Sequence, residues 1–166
     1  MAQQHYFAYG SNMSEQVFRD RVVGESVGPA VLFGYRLAFT LPSKRWGGRA
    51  ADLVVLDGAA TWGRLWLVDD EHLESLDRVE SNYRRLSVTV GRVDERDGEI
   101  RTEDVSASTY VVLDDRRAND EDAPAPQYLQ HMLNGAAECG LPEYYTRFLG
   151  EPVRTGRRSA NEPSTP

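Results

Sequence analysis

The sequence predicts an α+β domain: a mixed sheet or small barrel with short helices packed outside. Three observations carry this. Several runs are rich in β-branched and aromatic residues and alternate in polarity, as half-buried strands do. The steps Asp57-Gly58 and Asp97-Gly98 punctuate those runs as hairpin turns. The stretches with helical spacing are few and short.

In chain order, residues 4–10 read as a first strand and 13–21 as a short helix. Asn12 suits its N-cap, with Glu15 three residues on as in a capping box. VGPAVLFGYRLAFTL (27–41) reads as strand with Gly34 as a bend or bulge, and PSKRWGGR (42–49) as a loop. AADLVVLDGAATWGRLWLV (50–68) reads as two strands around the Asp57-Gly58 turn. DDEHLESLDRVE (69–80) starts acidic and spaces Leu73 and Leu76 three apart, which predicts a short helix. RRLSVTVGRVDE (84–95) and IRTEDVSASTYVVL (100–113) are strands joined at Asp97-Gly98. DDRRANDEDAPAPQ (114–127) is too polar and proline-bearing to be a packed element. QYLQHMLNGAAECGL (127–141) places Tyr128, Met132 and Leu133 on one helical face, with Gly140 as C-cap. PEYYTRFLG (142–150) adds a short helix with Pro142 at its start. These elements predict one domain over 1–153 and a polar, disordered tail over 154–166.

Composition narrows the function classes. With 166 residues the chain can bury a real core, and no apolar run approaches a membrane span. A net charge of −7 disfavours nucleic acid and anionic membranes as partners. MAQQHYF lacks the charged-then-apolar pattern of a signal peptide, so a cytoplasmic location is expected. The lone Cys139 allows no internal disulfide. His5, His72 and His131 have no metal-ligand spacing, so no metal site is expected. Ser11 lies outside a GxSxG elbow, and the chain has no Walker loop.

Two local features have a chemical reading. The Gly10-Ser11-Asn12 turn between strand and helix can present backbone N–H groups to an anion or a developing oxyanion. It serves equally as a plain connector, and local physics alone favours that. Glu80 ends a predicted helix, near Asp77, Arg78 and Arg84. Partly buried, it is a general base; left exposed, it is an ordinary salt-bridged carboxylate. Cys139 reads as an incidental thiol, and Tyr128 as a core or rim aromatic.

Four blocks occur in a fixed order: YFAYGSNM, WGRLWLV, LESLDRVE and APAPQYLQHMLNGAAECGLPEYY. Together they resemble the gamma-glutamylcyclotransferase-like family over most of residues 4 to 149. The resemblance implies a small mixed-strand barrel with flanking short helices. It implies a reaction without metal or organic cofactor, in which the α-amine of a γ-glutamyl group attacks its own γ-carbonyl and releases 5-oxoproline and a free amine or amino acid. Tyr9, Gly10, Ser11 and Asn12 match the family's substrate-holding loop, and Glu80, in the LDRVE step, matches its acid/base. Tyr83, Tyr110 and Tyr128 fall where the family places pocket tyrosines. Ser81 replaces a glycine common in the family, and Tyr83 follows Glu80 unusually soon. The implied partner is a small γ-glutamyl compound: a γ-glutamyl amino acid, a γ-glutamyl amine or a blocked natural product. A monomer and a homodimer stay equally open. The alternative is a non-catalytic protein that holds a small carboxylate in the same cradle.

Overall fold

A computed structural model describes residues 2–152; the expected tail over 154–166 lies outside the described residues. The order of elements is β1 (Gln3–Ala8), α1 (Glu15–Arg19), β2 (Glu25–Pro42), β3 (Arg49–Asp69), α2 (Asp70–Val79), β4 (Tyr83–Arg96), β5 (Glu99–Val112), α3 (Pro126–Cys139) and α4 (Glu143–Gly150). The strands close into a barrel in the order β1-β3-β2-β4-β5. Every ladder is antiparallel except the closing one, where β1 meets β5 in parallel at Tyr6 and Ser108. Thr109 reinforces that seam by donating its hydroxyl to the Phe7 carbonyl at 2.8 Å. The predicted α+β class and mixed-strand barrel are thus observed, with the core inside the barrel and beneath α1 and α3.

The hairpin expected at Asp57-Gly58 is not there. β3 runs unbroken through those residues and pairs with β2 on both sides of them, from Glu25 opposite Leu67 to Pro42 opposite Arg49. The reversal lies in the 43–48 loop, where Gly47 and Gly48 take φ of 74° and 59°. Two adjacent positive-φ residues are what a tight reversal demands. Asp57-Gly58 instead sits in a bulge: Phe33 opposes Ala60 while Tyr35 opposes Val55, so Gly34 faces the extra residues of β3. The bulge at Gly34 and the turn at Asp97-Gly98 fall where the sequence puts them.

The first helix also differs. It is shorter, and Ser14 caps it by accepting from the Val17 N–H. Asn12 lies one step earlier, in a single 3₁₀ turn over Ser11–Met13, so its side chain is free for another task. α3 follows its prediction. Tyr128, Met132 and Ala136 are buried, and Gly140 ends the helix with φ of 74°. Gly135 lets α3 touch the 3₁₀ turn directly: a Cβ there would lie 2.3 Å from the Met13 carbonyl carbon. The helix thus backs the turn with no side chain between.

Candidate active site

β1 delivers Tyr9, Gly10, Ser11 and Asn12 to the mouth of a cavity of about 190 Å³. The carbonyls of this turn all face inward partners. Gly10 and Ser11 accept from Met13 N and Ser14 N at 3.1 and 3.0 Å. Asn12 accepts from the Trp66 indole at 3.1 Å, and Met13 from Arg64 at 3.0 Å. Arg64 in turn lies over Trp66 at 4.1 Å, and Phe18 stacks on the indole at 3.9 Å. A buried aromatic pair and a guanidinium therefore fix the turn from behind, while residues 9–12 line the cavity.

Gly10 is small because of contact rather than dihedral angle. A Cβ there would stand 2.7 Å from the Tyr128 hydroxyl and 3.3 Å from the Ala51 Cβ. That hydroxyl accepts from Ala51 N–H at 3.0 Å, and Tyr83 donates to the Ala51 carbonyl at 2.8 Å. Two tyrosines thus bracket one residue of β3. Tyr9 donates to the Tyr110 carbonyl at 2.5 Å, and the Tyr110 hydroxyl donates to Asp77 at 2.6 Å. Burial drives the phenols of Tyr6, Tyr9, Tyr83, Tyr110 and Tyr128 above their ordinary range, so they stay protonated donors.

Glu80 is the C-cap of α2, and its N–H returns to Leu76 O at 2.8 Å. Its carbonyl accepts from Tyr83 N at 2.9 Å. That tight turn is how Tyr83, only three residues later, still reaches the cavity wall. The Glu80 side chain is 14 % exposed and lines the same cavity as the turn. Asn12 Nδ2 donates to Glu80 Oε1 at 3.1 Å across 68 residues of sequence, and also to Tyr6 Oη at 2.9 Å. Arg21 donates to Glu80 Oε1 at 2.7 Å and to Asn12 Oδ1 at 2.9 Å. Both contacts fall on Oε1, so neither occupies Oε2. Desolvation raises the Glu80 pKa above its ordinary value, and this outweighs the opposing pull of Arg21, Asn12 and Arg45. The result is a carboxylate poised nearer neutrality but still held in place.

All the residues singled out from the sequence, Tyr9, Gly10, Ser11, Asn12, Glu80, Tyr83, Tyr110 and Tyr128, line this one cavity. Sequence reading missed Tyr6, Arg21, Arg45, Trp46 and Asn82, which line it too. Arg78 and Arg84 lie near Glu80 in sequence, but its ion-pair partner is Arg21, and Arg85 pairs with Asp77. Nothing in the spacing of Arg21 marks it, because the turn after α1 folds it back. Cys139 lies outside the cavity, and burial pushes its thiol up to about 11, which fits the incidental reading. Among the described residues no group of three or more His, Cys, Asp or Glu is placed to hold a metal ion, and no helix is long and apolar enough to cross a membrane.

Residues 60–149 match the model of the AIG2-like family. The chain is 30 % identical over 150 residues to the mouse protein named gamma-glutamylcyclotransferase, spanning 87 % of this chain and 76 % of that one. The bovine protein of the same name is 29 % identical over 153 residues, with the same coverage. A structure titled gamma-glutamyl cyclotransferase superposes with a TM-score of 0.78 at 26 % identity, covering 96 % of this chain and 94 % of that one.

Proposed function

The chain belongs to the AIG2-like, gamma-glutamylcyclotransferase family, and from that membership we propose that it cyclises γ-glutamyl compounds, with Glu80 as the acid/base. The α-amine attacks the γ-carbonyl, the amide C–N bond breaks, and 5-oxoproline leaves with a free amine or amino acid. The proton count sets the task. The α-ammonium sheds two protons in becoming a lactam N–H, and the leaving nitrogen gains two in becoming an ammonium. One carboxylate can carry them in turn, first as base and then as acid.

The observation that carries the proposal is the shared cavity: a largely buried carboxylate and a backbone turn meet where one small molecule fits. Oε1 is anchored by Arg21 and Asn12, so Oε2 is the oxygen that takes and returns the proton. A raised pKa lets the group do both near neutral pH. The backbone N–H groups of residues 10–12 hold the γ-glutamyl group and meet the charge that develops on its carbonyl oxygen. Because nucleophile and electrophile share one substrate, folding the glutamyl chain into ring-closing geometry supplies much of the acceleration. The enclosing tyrosines narrow that choice of conformations and limit water.

Incubation of the protein with a panel of γ-glutamyl compounds, beside Glu80→Gln, tests this by chromatographic detection of 5-oxoproline. The expected result is 5-oxoproline from at least one compound and its loss in the variant. Full activity in Glu80→Gln, or free glutamate in place of 5-oxoproline, overturns it.

A further inference from the structure

Beside the catalytic cavity lies a second, wider one of about 550 Å³, lined by Leu41, Pro42, Ser43, Lys44, Arg45, Asn82, Asp115 and Arg116. Leu41, Ser43, Arg45 and Asn82 line both, so the two are contiguous. The wider space is therefore the vestibule of the site. Its charge contrasts with the rest of the chain: three cations face one carboxylate on a protein of net charge −7. The sole lysine of the sequence, Lys44, is among them.

Both walls of the vestibule are held by hydrogen bonds rather than left to sway. On one side, Ser43 N and Gly47 N close the 43–48 loop on Gly48 O and Ser43 O at 3.0 Å each, and Gly48 bridges to Pro124. Arg45 packs over the Trp46 ring at 5.3 Å, and Trp46 meets Tyr128 edge-on at 5.7 Å. On the other side, Arg117 reaches inward to the fully buried Asp52 at 2.7 Å and to the Val112 carbonyl at 3.0 Å. Asp52 also accepts from Val112 N, Leu53 N and Thr40. With Arg116 N and Arg117 N both bonded to Leu113 O, the turn is fixed and Arg116 stands at the rim. Asn82 ties this second wall to Glu80's own turn, since its carbonyl accepts from Leu113 N at 3.0 Å. The field of the rim reaches the reaction centre, because Arg45 is among the charges that act on Glu80.

We propose that Lys44, Arg45 and Arg116 form a leaving-group subsite that selects γ-glutamyl compounds whose leaving amine carries carboxylates, a dicarboxylic amino acid above a neutral one and either above a simple amine. This rests on the cyclotransferase reading of the adjoining cavity. With the γ-glutamyl group on residues 9–12 and its carbonyl near Glu80, the shared wall of Ser43, Arg45 and Asn82 gives the departing nitrogen and its substituents a path into the vestibule. A leaving amino acid then puts its α-carboxylate beside Arg45. A side-chain carboxylate reaches on to Lys44 and Arg116, where two guanidinium or ammonium groups offset the repulsion from Asp115. A simple alkyl amine satisfies none of these cations.

The test compares γ-glutamyl-glutamate, γ-glutamyl-alanine and γ-glutamyl-ethylamide as substrates of the wild type and of Arg116→Glu and Lys44→Glu. Release of 5-oxoproline is followed, and kcat/KM is taken for each pair. Alongside, calorimetry measures binding of the same three compounds to Glu80→Gln. The expected order is glutamate above alanine above ethylamide, with a spread of roughly tenfold from largely exposed ion pairs. Charge reversal at either rim position lowers the glutamate-to-ethylamide ratio by several fold, chiefly through KM. Equal kcat/KM or equal affinity for the three compounds overturns the subsite, as does a ratio that survives both reversals. The calorimetry separates the two readings: absent turnover with the binding order intact rejects the cyclase and keeps the subsite, whereas turnover without that order keeps the cyclase and rejects the subsite.

Discussion

The proposed proton-transfer end and the proposed leaving-group end of the site sit side by side yet differ in every physical respect. Glu80, Arg21 and Asn12 are largely buried, and their side chains are joined by bonds of 2.7 to 3.1 Å. Lys44, Arg45 and Arg116 are exposed cations with a single carboxylate, Asp115, among them. In the first region burial lowers the local dielectric, so each charge acts strongly on the next and removing one leaves another uncompensated. In the second, solvent screens each charge and effects are small and additive. Chemistry that must shift a pKa belongs in the first kind of region, and graded preference among substrates in the second.

The largest effect is expected from Glu80→Gln, which keeps the shape and both anchoring donors but cannot take a proton. kcat should fall about 10²- to 10⁴-fold with little change in KM. Near-UV circular dichroism should stay native, because glutamine still offers an oxygen to Arg21. A fall of less than tenfold breaks the proposed division of labour. Next is Gly10→Ala. The added methyl would meet the Tyr128 hydroxyl at 2.7 Å, and that hydroxyl is pinned by Ala51. The turn must shift by a fraction of an ångström, and kcat/KM should drop by roughly 10²-fold. Thermal stability measured by calorimetry should change far less.

Arg21→Ala probes the same buried region through pH. Glu80 must be ionised to act first as base, so activity fades as pH falls through its pKa. That pKa already lies above the ordinary 4.5 because burial outweighs the cations. Removing Arg21 deletes the strongest force holding it down. The acid limb of kcat/KM should therefore move to higher pH, and Arg21→Lys should restore part of the shift. An unmoved limb would mean that Arg21 is a structural strut only. The variant should also be less stable by about 3 kcal/mol near neutral pH, where the lone carboxylate is ionised, and by less at acid pH, where protonation relieves it.

The two regions also differ in how far the sequence disclosed them. Glu80 and the Gly10–Asn12 turn were legible because each sits at an element boundary with its own local pattern, and the ordered blocks tied them together. Strand alternation left a mixed sheet or a small barrel open, and the family resemblance pointed to the barrel. What stayed hidden depended on tertiary approach. Asn12 looked like a helix cap because its spacing to Glu15 fits one, yet Ser14 takes that place and Asn12 turns to Glu80. Arg21 carries no periodic signal, and the chain folds it 59 residues back onto Glu80. Asp57-Gly58 has hairpin chemistry, but β2 is long enough to pair with β3 on both sides of it, so the dipeptide became a bulge. Arg45 and Arg116 looked like ordinary loop charges, since their convergence depends on the buried Asp52 that fixes the second loop through Arg117.

The smallest expected effect discriminates most sharply between the regions, because it needs no mutation. Raising ionic strength from about 0.01 M to 1 M shortens the screening length from about 30 Å to 3 Å. Exposed rim cations then lose most of their pull on a leaving-group carboxylate. The ratio of kcat/KM for γ-glutamyl-glutamate over γ-glutamyl-ethylamide should decline several-fold across that range. The acid-limb midpoint with γ-glutamyl-ethylamide should stay within a few tenths of a pH unit, because the Glu80–Arg21 pair is closed at 2.7 Å and both side chains are largely buried. A limb that slides with salt would show Glu80 to be open to solvent. A ratio indifferent to salt would show that the rim makes no electrostatic selection, and the contrast between the two ends would vanish.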